Sequence, residues 1–261
     1  MKEVIRFILF CIGFSFFGSA CAQNFSYTVS TDSVAWSELN SQTILNSGNS
    51  AWNFSYRIPI GFSFNYLGRD FDSLTIETNG YLVFDGDRNY AFTAFNGFGD
   101  RIADGNHAVL GYALSGTTGN HILKIQYKNT STSITDPLKQ SWQTWLKENG
   151  GAVEVHVGPG DFRTYPTEVT ATDSVVTTDS LSNTYVTYFD TTYTVCMLDT
   201  AQYCRIGLLN QNMNSETRGY FIGGNTSSPS GYPVNDQNPD CAVMNCFPAQ
   251  GYRYTFTPDN N

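Results

Sequence analysis

The chain has 261 residues, with 14 Lys and Arg against 23 Asp and Glu, a formal net charge of −9 and 15% aromatic residues. So acidic and charge-poor a surface excludes nucleic acid and anionic lipid as partners, because both select a cationic face. The length suits one large all-β domain or two small ones, with ample residues for a core.

At the N-terminus, Lys2 and Arg6 flank an apolar run from Phe7 to Phe17, and small residues lead to Ala20-Cys21-Ala22. A charged start, an apolar stretch too short to span a bilayer and an A-x-A site predict a signal peptide over residues 1–22, cleaved before Gln23. The alternative is a lipoprotein acylated at Cys21, but Gly18 stands where Leu is usual. No transmembrane segment is expected in the mature chain.

The pattern is β almost throughout. In "YRIPIGFSFNYLGRDFDSLTIETNGYLVFDG", Ile60, Phe62, Phe64 and Tyr66 alternate with Gly61, Ser63 and Asn65, which puts one apolar face inward. A turn follows at Leu67-Gly68, and Asn79-Gly80 predicts a two-residue hairpin with φ > 0. Tyr81 to Phe84 returns apolar on both faces, as inside a sandwich. "HAVLGYALSG" and "HILKIQYKN" add strands, the second with Ile122, Lys124, Gln126 and Lys128 opposite a Leu123, Ile125, Tyr127 face. "DPLKQSWQTWLKENGGAVEVHVG" fits a short capped helix from Asp136, or a hairpin turning at Asn149-Gly150-Gly151. Residues 164–200 are rich in Thr, Val, Ser and Asp and read as two β runs around Leu181-Ser182-Asn183, an inserted hairpin. After Gly223 the chain is loop-rich until a closing strand, "YRYTFTP".

Cys196, Cys204, Cys241 and Cys246 remain after cleavage, and an even count in an exported chain predicts two disulfides. Of three connectivities, Cys196–Cys204 with Cys241–Cys246 closes two short loops. Zinc is the alternative, although no C-x-x-C pair is present.

The phrases "IPIGFSFNYLGRDFDSLTIETNGYLVFDG", "ILKIQYKN", "WQTWLKENGGAVEVHVG", "GYFIGGN" and "YRYTFTP" together resemble a β-sandwich domain of exported Bacteroidota proteins. In that group the domain often precedes a type IX secretion sorting tail, and no such tail follows "YTFTP" here. The resemblance favours the strand reading of residues 141–148 and implies a secreted surface protein with no shared catalytic set. Exported proteins of that group carry O-glycans on Asp-(Ser/Thr)-small-apolar tripeptides, which makes Ser33, Ser73, Ser174, Ser180, Thr191 and Thr200 candidates.

Residues that carry chemistry are sparse. Glu154 and His156 share one strand face and pair plausibly as base or metal ligands, but read first as a solvent-facing polar pair. Glu148 and Glu154 flank a turn and could serve as a glycosidase pair, although rim charges are the simpler reading. No G-x-S-x-G, H-E-x-x-H or P-loop occurs. Asp85, Asp87 and Asn89 match the start of a calcium loop, yet Tyr90 replaces its glycine and Asn96 its closing glutamate, leaving weak metal candidates. Trp36, Trp52, Trp142 and Trp145 are the indoles on which a sugar would stack. On a strand, Trp142 and Trp145 point to opposite faces, one core and one outward. Tyr90, Phe92 and Phe95 lie in a Gly-rich stretch that reads as a loop plugging the sandwich, or as a binding rim.

The expected fold is therefore an all-β, antiparallel β-sandwich, jelly-roll-like, over residues 23–261. The expected function is a non-catalytic exported structural or adhesion protein, needing no cofactor. Its partners would be other surface or secreted proteins, or further copies of itself. A carbohydrate-binding module is the alternative, and a glycan-active hydrolase the next.

Overall fold

The computed structural model describes residues 27–47, 51–52, 54–86, 90–95, 101–102, 108–130, 139–160, 164–178, 184–198, 206–210, 219–234 and 248–259. The expected leader lies outside them, as does Asp136 of the helix alternative. In chain order the strands are β1 (Tyr27–Ser33), β2 (Thr43–Ser47), β3 (Ala51–Trp52), β4 (Ser55–Tyr66), β5 (Arg69–Glu77), β6 (Tyr81–Val83), β7 (Tyr90–Ala94), β8 (Arg101–Ile102) and β9 (Val109–Ser115). They continue as β10 (Ile122–Thr130), β11 (Gln140–Lys147), β12 (Val153–Gly160), β13 (Thr164–Thr178), β14 (Thr184–Leu198), β15 (Ile206–Asn210), β16 (Gly219–Gly223), β17 (Ser230–Val234) and β18 (Tyr252–Pro258).

Two seven-stranded antiparallel sheets form a β-sandwich. One runs β1-β18-β12-β11-β10-β9-β2, the other β17-β16-β15-β7-β6-β5-β4. Neighbours are mostly consecutive in the chain, so each sheet grows by hairpins and the chain changes sheet only a few times. β13 and β14 pair only with each other among the described strands, in register from Thr164 opposite Leu198 to Thr178 opposite Thr184. This ribbon interrupts the passage from the first sheet to the second.

The alternation read from the sequence sets the inner faces. Leu123, Ile125 and Tyr127 of β10 meet Leu146, Trp142, Val153, Val155 and Phe256 in one buried cluster with Phe64, Tyr66, Leu74, Ile76, Leu82 and Phe92 of the facing sheet. Phe92 meets Phe256 edge-on across the sandwich, with ring centroids 5.4 Å apart. Tyrosine hydroxyls stitch the layers where their rings reach backbone on the other side: Tyr127 donates to the Glu77 carbonyl at 2.8 Å and Tyr254 to that of Thr226 at 2.8 Å. Burial of its ring pushes the Tyr127 phenol well above the ordinary value.

Three local expectations change. The two-residue hairpin is at Leu67-Gly68, where Tyr66 pairs with Arg69 and both turn residues have positive φ, 52° and 76°. The β5–β6 turn instead has three residues, Thr78-Asn79-Gly80, and only Gly80 has positive φ, 88°. Gly80 is required there because β7 passes close: a Cβ would sit 2.4 Å from the Ala94 carbonyl oxygen. The predicted loop around Tyr90 and Phe92 is the strand β7, between β6 and β15. It is buried on both faces, so its residues do not alternate in polarity. Residues 140–147 form a strand rather than a helix, turning through a short 3-10 segment, Asn149–Gly151, into β12.

Candidate functional site

Among the described residues, a group of charged side chains gathers on the outer face of the first sheet. Strand pairing sets Trp145 opposite Glu154, Gln143 opposite His156, and His156 opposite Arg253. Arg253 in turn faces Asp32 of β1 and binds it with a two-pronged guanidinium contact, Nε to Oδ1 at 2.8 Å and Nη2 to Oδ2. Glu154 accepts from Lys147 Nζ at 2.9 Å and lies 3.0 Å from His156 Nε2, with Arg253 Nη1 at 3.9 Å.

Sequence reading placed Glu154 and His156 on solvent, and this is corrected. They do pair on one face, yet Glu154 is 3% and His156 7% exposed. Burial favours a neutral Glu154, but the hydrogen bonds from His156 and Lys147 and their charges outweigh it and hold the carboxyl at about 2. The Arg253 hydrogen bonds hold the Asp32 carboxyl below its ordinary value as well. A carboxyl held in its ionised form does not serve as the general acid, which is one of the two roles in a glycosidase pair. Glu148 is not its partner: it accepts from the His121 backbone N–H at 2.9 Å and lies 2.8 Å from His121 Nδ1, tying two turns together. The cluster is a clamp joining β11, β12, β18 and β1.

Trp142 and Trp145 offer no open stacking face, and the side chain of Trp52 lies outside the description. Trp142 is buried, stacked on Tyr127 at 4.5 Å and edge-on to Phe95 at 5.2 Å. Trp145 faces outward, as its strand parity predicts. His156 stacks on its ring at 3.9 Å, and Lys124 Nζ lies 4.1 Å from its ring centroid. Two groups that close to one ring cannot share a face, so both faces of the indole are taken. Trp36 lies against the backbone of Gly158, where a Cβ would come within 2.8 Å of its ring. Phe92 and Phe95 are core residues and form no binding rim.

Trp36 belongs to a strap, residues 34–42, that sequence reading missed. It crosses the same outer face: the Leu39 N–H donates to Gln126 Oε1 at 3.0 Å, Gln143 Nε2 donates to the Ser37 carbonyl at 2.8 Å, and Lys128 pairs with Glu38. Gln126, expected on solvent by alternation, is thereby buried, as is Gln143, and the two bond each other at 2.8 Å.

On the opposite sheet, β4 bulges between Pro59 and Phe64 and leaves an open trough of about 680 Å³ between Arg57, Phe62 and Asp72. Arg57 Nη2 donates to Ser73 Oγ there at 3.1 Å. The trough is open rather than enclosing, and two of its polar side chains, Arg57 and Ser73, bond each other.

The remaining sequence candidates are scattered. Asp85 accepts weakly from the Tyr90 N–H at 3.4 Å; Asp87 and Asn89 lie outside the described residues. No cluster of three or more His, Cys, Asp or Glu side chains able to hold a metal occurs among the described residues. Cys196 stands in β14 opposite Pro166, and Cys204, Cys241 and Cys246 lie outside the described residues, so the predicted disulfides do too. Ser33 and Ser174 are exposed, Ser73 is half-buried, Thr191 is in β14, and Ser180 and Thr200 lie outside the description.

That leaves the ribbon. Each of its strands has 15 residues, about 50 Å of extended chain, with one side paired and the other side paired to no described strand. Val176 and Val186 stand opposite each other and are 62% and 47% exposed. No Lys or Arg occurs between Thr164 and Leu198. Such an edge, long and bare of cationic gatekeepers, is a template for another strand.

Among the described residues no helix is long and apolar enough to cross a membrane. The family described as NIDO related, a family of extracellular domains, matches residues 26–258. No curated protein and no solved structure matches the chain.

Proposed function

The chain belongs to the NIDO-related family, and we propose that it is a non-catalytic extracellular protein of structure or adhesion, with the sandwich as carrier and the β13–β14 ribbon as its interaction element. The observation that carries this is that neither 15-residue strand of the ribbon pairs, on its outer side, with any other described strand. Main-chain N–H and C=O groups along such an edge give affinity to any extended segment that docks as a further strand. The charged cluster supports the same reading, since its carboxylates are consumed by structural pairing. The resemblance of the strand motifs to sandwich domains of exported Bacteroidota proteins supports a location at a bacterial cell surface or outside it. Disulfides among Cys196, Cys204, Cys241 and Cys246 belong to the same exported setting.

The test sets the exported chain beside a variant in which residues 164–198 are replaced by a short Gly-Ser linker. The wild-type chain is expected to stay with the producing cells or their matrix and to give no signal on a glycan array or a panel of chromogenic glycosides. The variant is expected to fold and to be released. Retention unchanged by the deletion, saturable glycan binding, or turnover of any glycoside would contradict the reading.

A further inference from the structure

We propose that two copies of this chain join through the open edge of β14, antiparallel about a two-fold axis at Thr191, an inference that rests on the ribbon being the interaction element. β14 runs from Thr184 to Leu198, so Thr191 is its midpoint and a full-length antiparallel match sets Thr191 opposite itself. Residues equidistant from it then face each other: Asp190 meets Thr192, Phe189 meets Tyr193, Thr187 meets Val195 and Tyr185 meets Met197. Asp190 is the only charged residue of β14, and this register gives it an uncharged neighbour. Moving the axis one residue, to Asp190, would set two carboxylates directly opposite, which cross-strand pairing penalises. Aromatic residues opposite each other, as Phe189 and Tyr193 are, favour the register about Thr191.

The other edge is poorer. β13 contains Pro166, which has no N–H for a ladder, and carries Glu168 and Asp173. A β14–β14 junction produces a continuous four-stranded sheet with β13 on each outside, a closed isologous dimer that stops at two copies. The competing occupant is a basic extended peptide, invited by an acidic, base-free ribbon. β14 itself offers such a peptide one carboxylate, whereas self-pairing uses the whole strand.

Charge separates the two. Two copies, each strongly acidic, repel at long range, so salt strengthens self-association; it weakens capture of a basic peptide.

Sedimentation equilibrium of the exported chain tests the proposal with the variants Thr191→Asp, Thr191→Lys and Thr191→Val. The wild-type chain and Thr191→Val are expected to dimerise, more tightly at high salt. Each charged variant alone is expected to associate roughly tenfold or more weakly, because like charges meet at the axis. An equimolar mixture of Asp and Lys variants is expected to dimerise again. That recovery also shows that both variants are folded. A wild-type monomer, a dimer indifferent to both charges, a Thr191→Val monomer or a mixture that fails to recover overturns the proposal. A wild-type monomer that binds poly-lysine, less tightly as salt rises, overturns it in favour of a foreign basic partner. Glycan binding or turnover would overturn the functional reading instead, so the two failures are distinct.

Discussion

The sandwich and the ribbon treat their free edges in opposite ways. β4 carries Pro59 and a bulge, β17 is five residues long and contains Pro233, and β2 is five residues long with an irregularity after Ile44. At β1 the exposed edge is charged by Asp32, itself held by Arg253. Each device discourages another strand from pairing there. β14 has none of them: no proline, no Lys or Arg, one acid, and three times the length of β2 or β17. A chain that guards every sandwich edge and leaves one ribbon open has separated the task of staying folded from the task of meeting a partner. Two strands alone are marginal in water, so a second sheet would complete the ribbon.

Several substitutions separate these tasks, from the largest effect downward. Trp142→Ala empties a site filled against Tyr127 and Phe95 and is expected to cost about 3–5 kcal/mol in denaturant unfolding, leaving any ribbon-dependent association of the folded fraction intact. Glu154→Gln removes the carboxylate that Lys147, His156 and Arg253 share, and is expected to cost about 2–3 kcal/mol near neutral pH, Lys147 and Arg253 being only partly buried. Its pH signature has a definite sign. The folded carboxyl titrates at about 2 against an ordinary 4.5, so its contribution is present above about pH 5 and is lost as pH falls towards 2. Wild-type stability should fall across that window, and the fall should be shallower in Glu154→Gln. Gly80→Ala forces a side chain into positive φ and against the Ala94 carbonyl, an expected loss of about 2 kcal/mol in the same assay. Replacing residues 164–198 by a linker should move the thermal midpoint least, by a few degrees at most, because no described strand of either sheet pairs with the ribbon.

Legibility followed the range of the interactions. The one-sided alternation of residues 58–66 and 122–128 is local, and both segments became strands with the predicted inner faces. The hairpin pairing of residues 164–178 with 184–198 was readable for the same reason. What failed depended on distant cover. Gln126 looks like a solvent-face residue until a strap some ninety residues away lies over it. Glu154 and His156 look exposed until Trp145 from one neighbouring strand and Arg253 from the other close over them. β7 was hidden differently, because a strand covered on both faces does not alternate, and the glycines around it suggested a loop. The turn at Thr78-Asn79-Gly80 was misjudged by one residue, since its geometry is set by β7 passing beneath it. The open edge of β14 could not be read from composition, because a Thr-rich strand looks the same whether paired or free.

Amide hydrogen exchange, followed strand by strand at low and high protein concentration, tests the central claim most directly. The amides of β10, β11 and β12 should exchange slowly and equally at both concentrations. Those of β14 should exchange faster when dilute and slow markedly when concentrated, with β13 changing less. Concentration-independent exchange in β14, or a concentration effect at β4 or β17 instead, would contradict the division between a guarded sandwich and an open ribbon.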